Sequence, residues 1–188
     1  MSSELPRRAV FLDRDGTLIR DEKYLRDPAL VRLLPGVGEG LRRLQEAGYV
    51  LVVATNQSGV GRGMYTETEV HRCNDEMCRL LEPYGVKLDG IWYCPAAPVT
   101  SDPLAIDHPD RKPAPGMLLQ AAARLNLDLR RSWMVGDSPR DVLAGVNAGC
   151  ERNILVLTGN EVSDLDRWKS QCEIVNNFAE AVAIILRI

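Results

Sequence analysis

Short apolar runs that stop at an acid or an amide recur along this chain, separated by stretches of helical period. AVFLD (9–13) ends in Asp13, YVLVVATN (49–56) closes on Thr55 and Asn56, and SWMVGD (132–137) ends in Asp137. GIWYC (90–94) and RNILVLTG (152–159) are two further runs of the same kind. Apolar runs this short and unbroken read as strands buried on both faces. Between them lie five helical patterns. The segment 36–48 puts Leu41 and Leu44 on one face and stops at Gly48; 66–85 opens on Thr66 with Glu69 three residues on, a capping-box spacing. The segments 113–127, 141–149 and 178–188 complete the set. Strand–helix alternation of this kind predicts an α/β fold whose mostly parallel sheet is covered on both faces. In such sheets ligands bind beyond the carboxyl ends of the strands, where Asp13, Thr55, Asn56 and Asp137 fall. The least regular stretch, PAAPVTSDPLAIDHPDRKP (95–113), reads as a long functional loop.

The 188 residues fit one domain, 1–188, with 45% hydrophobic residues and a formal charge of −3. That balance argues against nucleic acid or an anionic membrane surface as the main partner. No run of apolar residues is long enough to span a bilayer, and MSSELPRRAVFLD does not read as a signal peptide. Five scattered cysteines (Cys73, Cys78, Cys94, Cys150, Cys172) suggest reduced thiols and a cytoplasmic protein.

Two carboxylates one residue apart, Asp13 and Asp15, gain from proximity when a cation sits between them or one holds a proton. A hard ion such as Mg²⁺ takes oxygen ligands. Asp13, Asp137 and the backbone carbonyl of Asp15 could supply them, leaving the Asp15 carboxyl free for acid–base work. A carboxylate nucleophile beside a metal, with Lys112 and Arg111 as phosphate-binding cations and Thr55 as a hydroxyl donor, makes a complete set for phosphoryl transfer.

FLDRDGT, TNQSGVGRG, RKPAPGM and VGDSPRD together resemble the four motifs of the haloacid dehalogenase (HAD) superfamily of phosphatases, in order and over residues 8–160. DRDGT, TNQSG and RKPAPGM resemble most closely the heptose bisphosphate phosphatase and histidinol-phosphatase branch. The resemblance implies a Rossmann-like three-layer α/β/α core without a large cap, and a cytoplasmic, monomeric, Mg²⁺-dependent enzyme. It implies Asp13 as nucleophile, Asp15 as proton donor, and Thr55 and Lys112 on the phosphoryl group. Metal would be held by Asp13, Asp15 and Asp137, with Asp141 orienting Lys112 or metal-bound water. Asp21, Tyr24, Asn56, Gln57, Ser58 and Arg111 would contact the sugar phosphate, and Arg62 the distal phosphate.

One departure stands out. Relatives of this type carry a structural zinc in the loop before RKP. Here Cys94 survives, Ala96 stands where a histidine ligand is expected, and His108 and Asp110 occupy two cysteine positions. Alanine binds no metal and most of the soft thiolates are gone, so zinc is not expected. The expected activity is hydrolysis of the 7-phosphate of D-glycero-D-manno-heptose 1,7-bisphosphate through an aspartyl-phosphate. The alternatives are a histidinol-phosphate phosphatase or a non-catalytic phospholigand-binding domain.

Overall fold

The computed structural model describes residues 5–187. Six strands, β1 (Ala9–Leu12), β2 (Val50–Asn56), β3 (Gly90–Cys94), β4 (Trp133–Gly136), β5 (Arg152–Val156) and β6 (Glu173–Val175), form one sheet in the order β3-β2-β1-β4-β5-β6. All five pairings are parallel. The helices are α1 (Val37–Glu46), the single turn α2 (Ser58–Gly61), α3 (Glu67–Leu81), α4 (Gly116–Leu125), α5 (Pro139–Ala148) and α6 (Phe178–Ile185).

Strand alternation divides the core between two faces. Val10, Leu12, Leu51, Val53, Trp133 and Val135 pack against α1, α3 and α6 through Leu41, Leu44, Cys73, Met77, Phe178 and Val182. Ala9, Phe11, Val52, Ala54 and Met134 face the other way, onto Met117, Leu118 and Ala121 of α4. Val142 of α5 and Leu155 form a third cluster with Trp168. The α/β/α layering expected from the sequence is the layering observed.

Boundaries moved for identifiable reasons. The expected helix 66–85 ends at Leu81, where Pro83 starts a separate 3-10 turn closed by Gly85 at φ +68°. The helix expected over 113–127 begins only at Gly116, because two prolines precede it. The strand expected to reach 159 stops at Val156; beyond it Thr158 Oγ1 donates to the Gly16 carbonyl at 2.6 Å. Strand β6 has no counterpart in the sequence reading, being three residues long with one exposed. Among the described residues no helix is long and apolar enough to cross a membrane.

Candidate active site

The sheet order reverses direction at β1, which lies between β2 and β4. That is the topological switch point where open α/β sheets leave a crevice. A cavity of about 300 Å³ opens there, lined by Asp13, Arg14, Asp15, Thr55, Asn56, Gln57 and Lys112, with Asp21, Lys23 and Tyr24 on one lip and Arg140 and Asn160 on another.

The floor is a buried charge cluster. Lys112 is 1% exposed, and its Nζ reaches Asp13 Oδ1 at 2.7 Å, Asp141 Oδ1 at 2.6 Å and the Ala54 carbonyl at 2.6 Å. Burial works against the ammonium, but the charges of Asp13 and Asp141 outweigh it and hold its pKa above the ordinary lysine value. The loop bearing Lys112 is fixed from β2. Asn56 Nδ2 donates to the Lys112 carbonyl at 2.9 Å and Asn56 Oδ1 accepts from the Lys112 amide at 3.0 Å.

Asp13, Asp137 and Asp141 bring carboxylate oxygens within 4.8 Å of one another, all buried. Asp137 Oδ2 accepts from the Asn160 amide at 2.7 Å and from Asn160 Nδ2 at 2.6 Å. Its Oδ1 is buried with no hydrogen-bond partner. Burial, then the charges of Asp13 and Asp141, push the Asp137 carboxyl up to about 7. Burial likewise raises Asp141, opposed by Lys112 and reinforced by Asp13. Three crowded carboxylates share one ammonium, and the negative charge left over, with the orphaned oxygen, suits a hard divalent cation. Gly16, at φ +79°, makes the close approach possible: a Cβ there would lie 2.5 Å from Asp137 Oδ2.

Asp15 is held differently from Asp13. Its carboxylate receives Arg14 Nε at 3.0 Å and Arg14 Nη2 at 3.2 Å, and Gln57 Nε2 at 2.9 Å. Burial raises its pKa above the ordinary aspartate value, with Arg14 opposing and Asp13 adding to the rise. Gln57 also donates to Thr55 Oγ1 at 3.0 Å and accepts from Tyr65 at 2.8 Å. Arg14 is itself 1% exposed and anchored on Asn74 Oδ1 at 2.7 Å. The neighbouring aspartates therefore answer to separate cations, Asp13 to Lys112 and Asp15 to Arg14.

Of the residues expected from the sequence, Asp13, Asp15, Asp21, Tyr24, Thr55, Asn56, Gln57, Ser58 and Lys112 line the cavity. Asp137 and Asp141 sit beneath it, against Asp13. Arg62 and Arg111 are outside the lining. Arg62 is exposed, and Arg111 is buried beneath the 95–113 loop, donating to the Ala96 carbonyl at 3.3 Å and 3.8 Å from Asp107. Sequence reasoning did not single out Arg14, Lys23, Tyr65, Arg140 or Asn160. Arg14 carried a signal, a cation placed between two aspartates; the others are joined to the site by the fold alone.

A HAD-hydrolase-like family model matches residues 110–181. Among solved structures, the D,D-heptose 1,7-bisphosphate phosphatase of B. bronchiseptica, complexed with magnesium and phosphate, superposes with a TM-score of 0.83. It is 33% identical, over 96% of this chain and 98% of that one. The Burkholderia thailandensis D,D-heptose 1,7-bisphosphate phosphatase gives 0.71 at 28% identity, covering 97% of this chain and all of its own. The fold is that of a HAD-like hydrolase. At the level of sequence, the D-glycero-beta-D-manno-heptose-1,7-bisphosphate 7-phosphatase of Haemophilus ducreyi is 39% identical over 180 residues, covering 95% of this chain and 98% of the relative. Its Escherichia coli K12 counterpart is 40% identical over 164 residues, 87% of this chain and 85% of the relative. The chain belongs to the heptose-1,7-bisphosphate 7-phosphatase family.

Proposed function

We propose that this chain, read as one phosphatase domain over 1–188, is a Mg²⁺-dependent phosphomonoesterase that removes the 7-phosphate from D-glycero-D-manno-heptose 1,7-bisphosphate. The observation that carries the reading is the convergence of Asp13, Asp137 and Asp141 within 4.8 Å below a cavity that Asp15 also lines. The names of the relatives supply the substrate. Asp13, Asp137 and the Asp15 carbonyl are the groups that would hold the metal. When bound, Mg²⁺ offsets negative charge on the phosphoryl oxygens.

The residues then divide the work. An Asp13 carboxylate oxygen attacks phosphorus while the bond from phosphorus to the sugar oxygen breaks. Asp15, whose pKa burial holds above the ordinary aspartate value, gives its proton to the departing sugar oxygen. The same carboxylate, now ionised, takes a proton from water; the water oxygen attacks phosphorus and the Asp13–phosphorus bond breaks, releasing inorganic phosphate. Lys112 keeps Asp13 in place and, with Thr55, faces the phosphoryl oxygens. Asp141 holds the ammonium, and Gln57 couples the positions of Thr55 and Asp15. Asp21, Tyr24, Asn56 and Ser58 are the sugar-side contacts.

The 95–113 loop does not fit a zinc ion. Cys94 Sγ lies 3.6 Å from His108 Nδ1, which also accepts the Asp110 amide at 3.1 Å. The Asp110 carboxylate is turned to Gln120 Nε2 at 2.6 Å, and Ala96 has no donor atom. Hydrogen bonds hold the loop where thiolates and metal would otherwise do so. Five free thiols fit a reducing, cytoplasmic setting.

The test is phosphate release with and without Mg²⁺ from both anomers of the heptose bisphosphate, from heptose 7-phosphate and from histidinol phosphate. The highest kcat/KM is expected on a heptose bisphosphate. Faster turnover of histidinol phosphate, or full activity in chelator, overturns the reading.

A further inference from the structure

Resting on that reading of the site, we propose that Arg140 binds the second anionic group of the substrate, the phosphate that is not removed. Arg140 lines the cavity together with Asp13, Asp15 and Lys112. Among the described residues, no hydrogen bond or ion pair occupies its guanidinium; its influence on Asp13, Asp137, Asp141 and Asp21 is through space. An arginine half-buried beside an active-site cavity, with its five donors uncommitted, is a ready binding group for a phosphate.

Its position in the chain argues the same way. Arg140 is the second residue of α5, after Pro139 and before Asp141. A cation in the first turn of a helix opposes the helix dipole, where an acid would be favoured. The nearby carboxylates of Asp141, Asp13 and Asp137 favour its charge but do not engage its N–H donors, so the fork is left free for a ligand.

Of the other cations lining the cavity, Arg14 is committed to Asp15 and Asn74, and Lys23 offers a point charge but no bidentate fork. Lys112 is saturated by Asp13, Asp141 and the Ala54 carbonyl, and serves the reacting end. Arg111 is engaged with the Ala96 carbonyl and Asp107. Arg111 nevertheless feels the positive charge of both Arg140 and Arg62. Arg140 and Arg62 thus both act on the charge of Arg111, which is paired to Asp107. Like charges brought together in this way are relieved by an anion, and a phosphate dianion accepts two parallel N–H bonds from an arginine fork. Of the three, Arg140 is the one that reaches the cavity wall. The site therefore selects a substrate with two anionic ends over a monophosphate of the same sugar.

The experiment compares the Mg²⁺-loaded wild type with R140Q and R140K on heptose 1,7-bisphosphate and heptose 7-phosphate, reading kcat and KM separately. In R140Q the preference for the bisphosphate, as a ratio of kcat/KM values, is expected to fall about 10- to 100-fold, mainly through KM. R140K, which keeps the charge but loses the fork, is expected to recover part of it. Inhibition by the product heptose 1-phosphate should weaken in parallel, a readout that does not depend on chemistry. Thermal unfolding of each variant confirms the fold. An unchanged ratio overturns the proposal, whether both substrates are retained or both are lost equally; the second pattern would place Arg140 on the transferred phosphoryl group. If the wild type releases nothing from the heptose bisphosphate, the proposed function fails. The same ratio is then read on fructose 1,6-bisphosphate against fructose 6-phosphate: a fall in R140Q sustains the role of Arg140, and no fall, or no preference in the wild type, overturns it.

Discussion

Replacing Asp137 with asparagine should make the metal-free protein more stable while abolishing its activity. The carboxylate faces Asp13 and Asp141 at no more than 4.8 Å, and the nearest buried ammonium is already shared by those two acids. At that separation and an effective dielectric of about 20, one repulsion amounts to about 3.5 kcal/mol. Lys112 offsets one of the two repulsions, and local relaxation reduces the other, leaving a gain of about 2 kcal/mol. The amide keeps an oxygen for the two Asn160 donors, and its NH₂ falls where Oδ1 now lacks a partner. For a chain of this size a gain of 2 kcal/mol corresponds to a rise in Tm of roughly 4–8 °C. The assay is thermal unfolding of wild type and D137N in chelator and again with added Mg²⁺, alongside phosphate release. Wild type should gain stability with Mg²⁺ and D137N should not, and D137N turnover should fall at least about 100-fold. A D137N protein that is less stable than wild type in chelator, or that still responds to Mg²⁺, would refute the argument that these carboxylates repel one another and await a cation.

Three further outcomes are expected. Asp13→Asn removes the proposed nucleophile but keeps the oxygen that Lys112 binds, so turnover should vanish while Tm stays within a few degrees of wild type; near-normal turnover would sink the assignment of Asp13. Lys112→Met leaves a buried carboxylate cluster without its cation and should cost about 3–5 kcal/mol in chemical denaturation, a loss that a mere surface pair would not produce. Burial pushes Cys150 up to about 12 and Cys172 up to about 11, from an ordinary value of 9.0. The unfolded chain therefore loses these protons first, and stability should decline as pH rises from about 9, by up to about 1.4 kcal/mol per pH unit for Cys150 towards 12 and by less for the more exposed Cys172, whose window closes near 11. Denaturant midpoints at pH 8 and pH 10.5 measure this, and substituting Cys150 with alanine should flatten the slope.

Asp13 and Asp137 were legible because each follows the end of a strand whose apolar content cannot be mistaken. Once the sheet is parallel, Asp13 and Asp137 must emerge at the same edge, and the adjacent β1–β4 pairing brings them together. What could not be read is pairing between distant parts of the chain. Nothing local tells that Arg14 will bury itself against Asn74, sixty positions away. Arg111 and Lys112 are neighbours, yet one reaches the Ala96 carbonyl and the other the cavity floor, because they open a turn in which the Ala114 amide donates to the Arg111 carbonyl. Strand β6 is too short to show a period, and sheet pairing with β5 alone defines it. The changed loop 95–113 could be read as lacking zinc ligands, but the Cys94–His108 contact in their place needed coordinates.

The two hydrogen bonds between the Asn56 side chain and the Lys112 peptide act as a buckle between a strand end and the far side of a nineteen-residue excursion, 95–113. Whatever the excursion contains, its exit is clamped at one register relative to β2, so the ammonium arrives at the same spot. Rebuilding the intervening segment, in composition or in the means by which it is braced, leaves Lys112 where the proposed chemistry requires it.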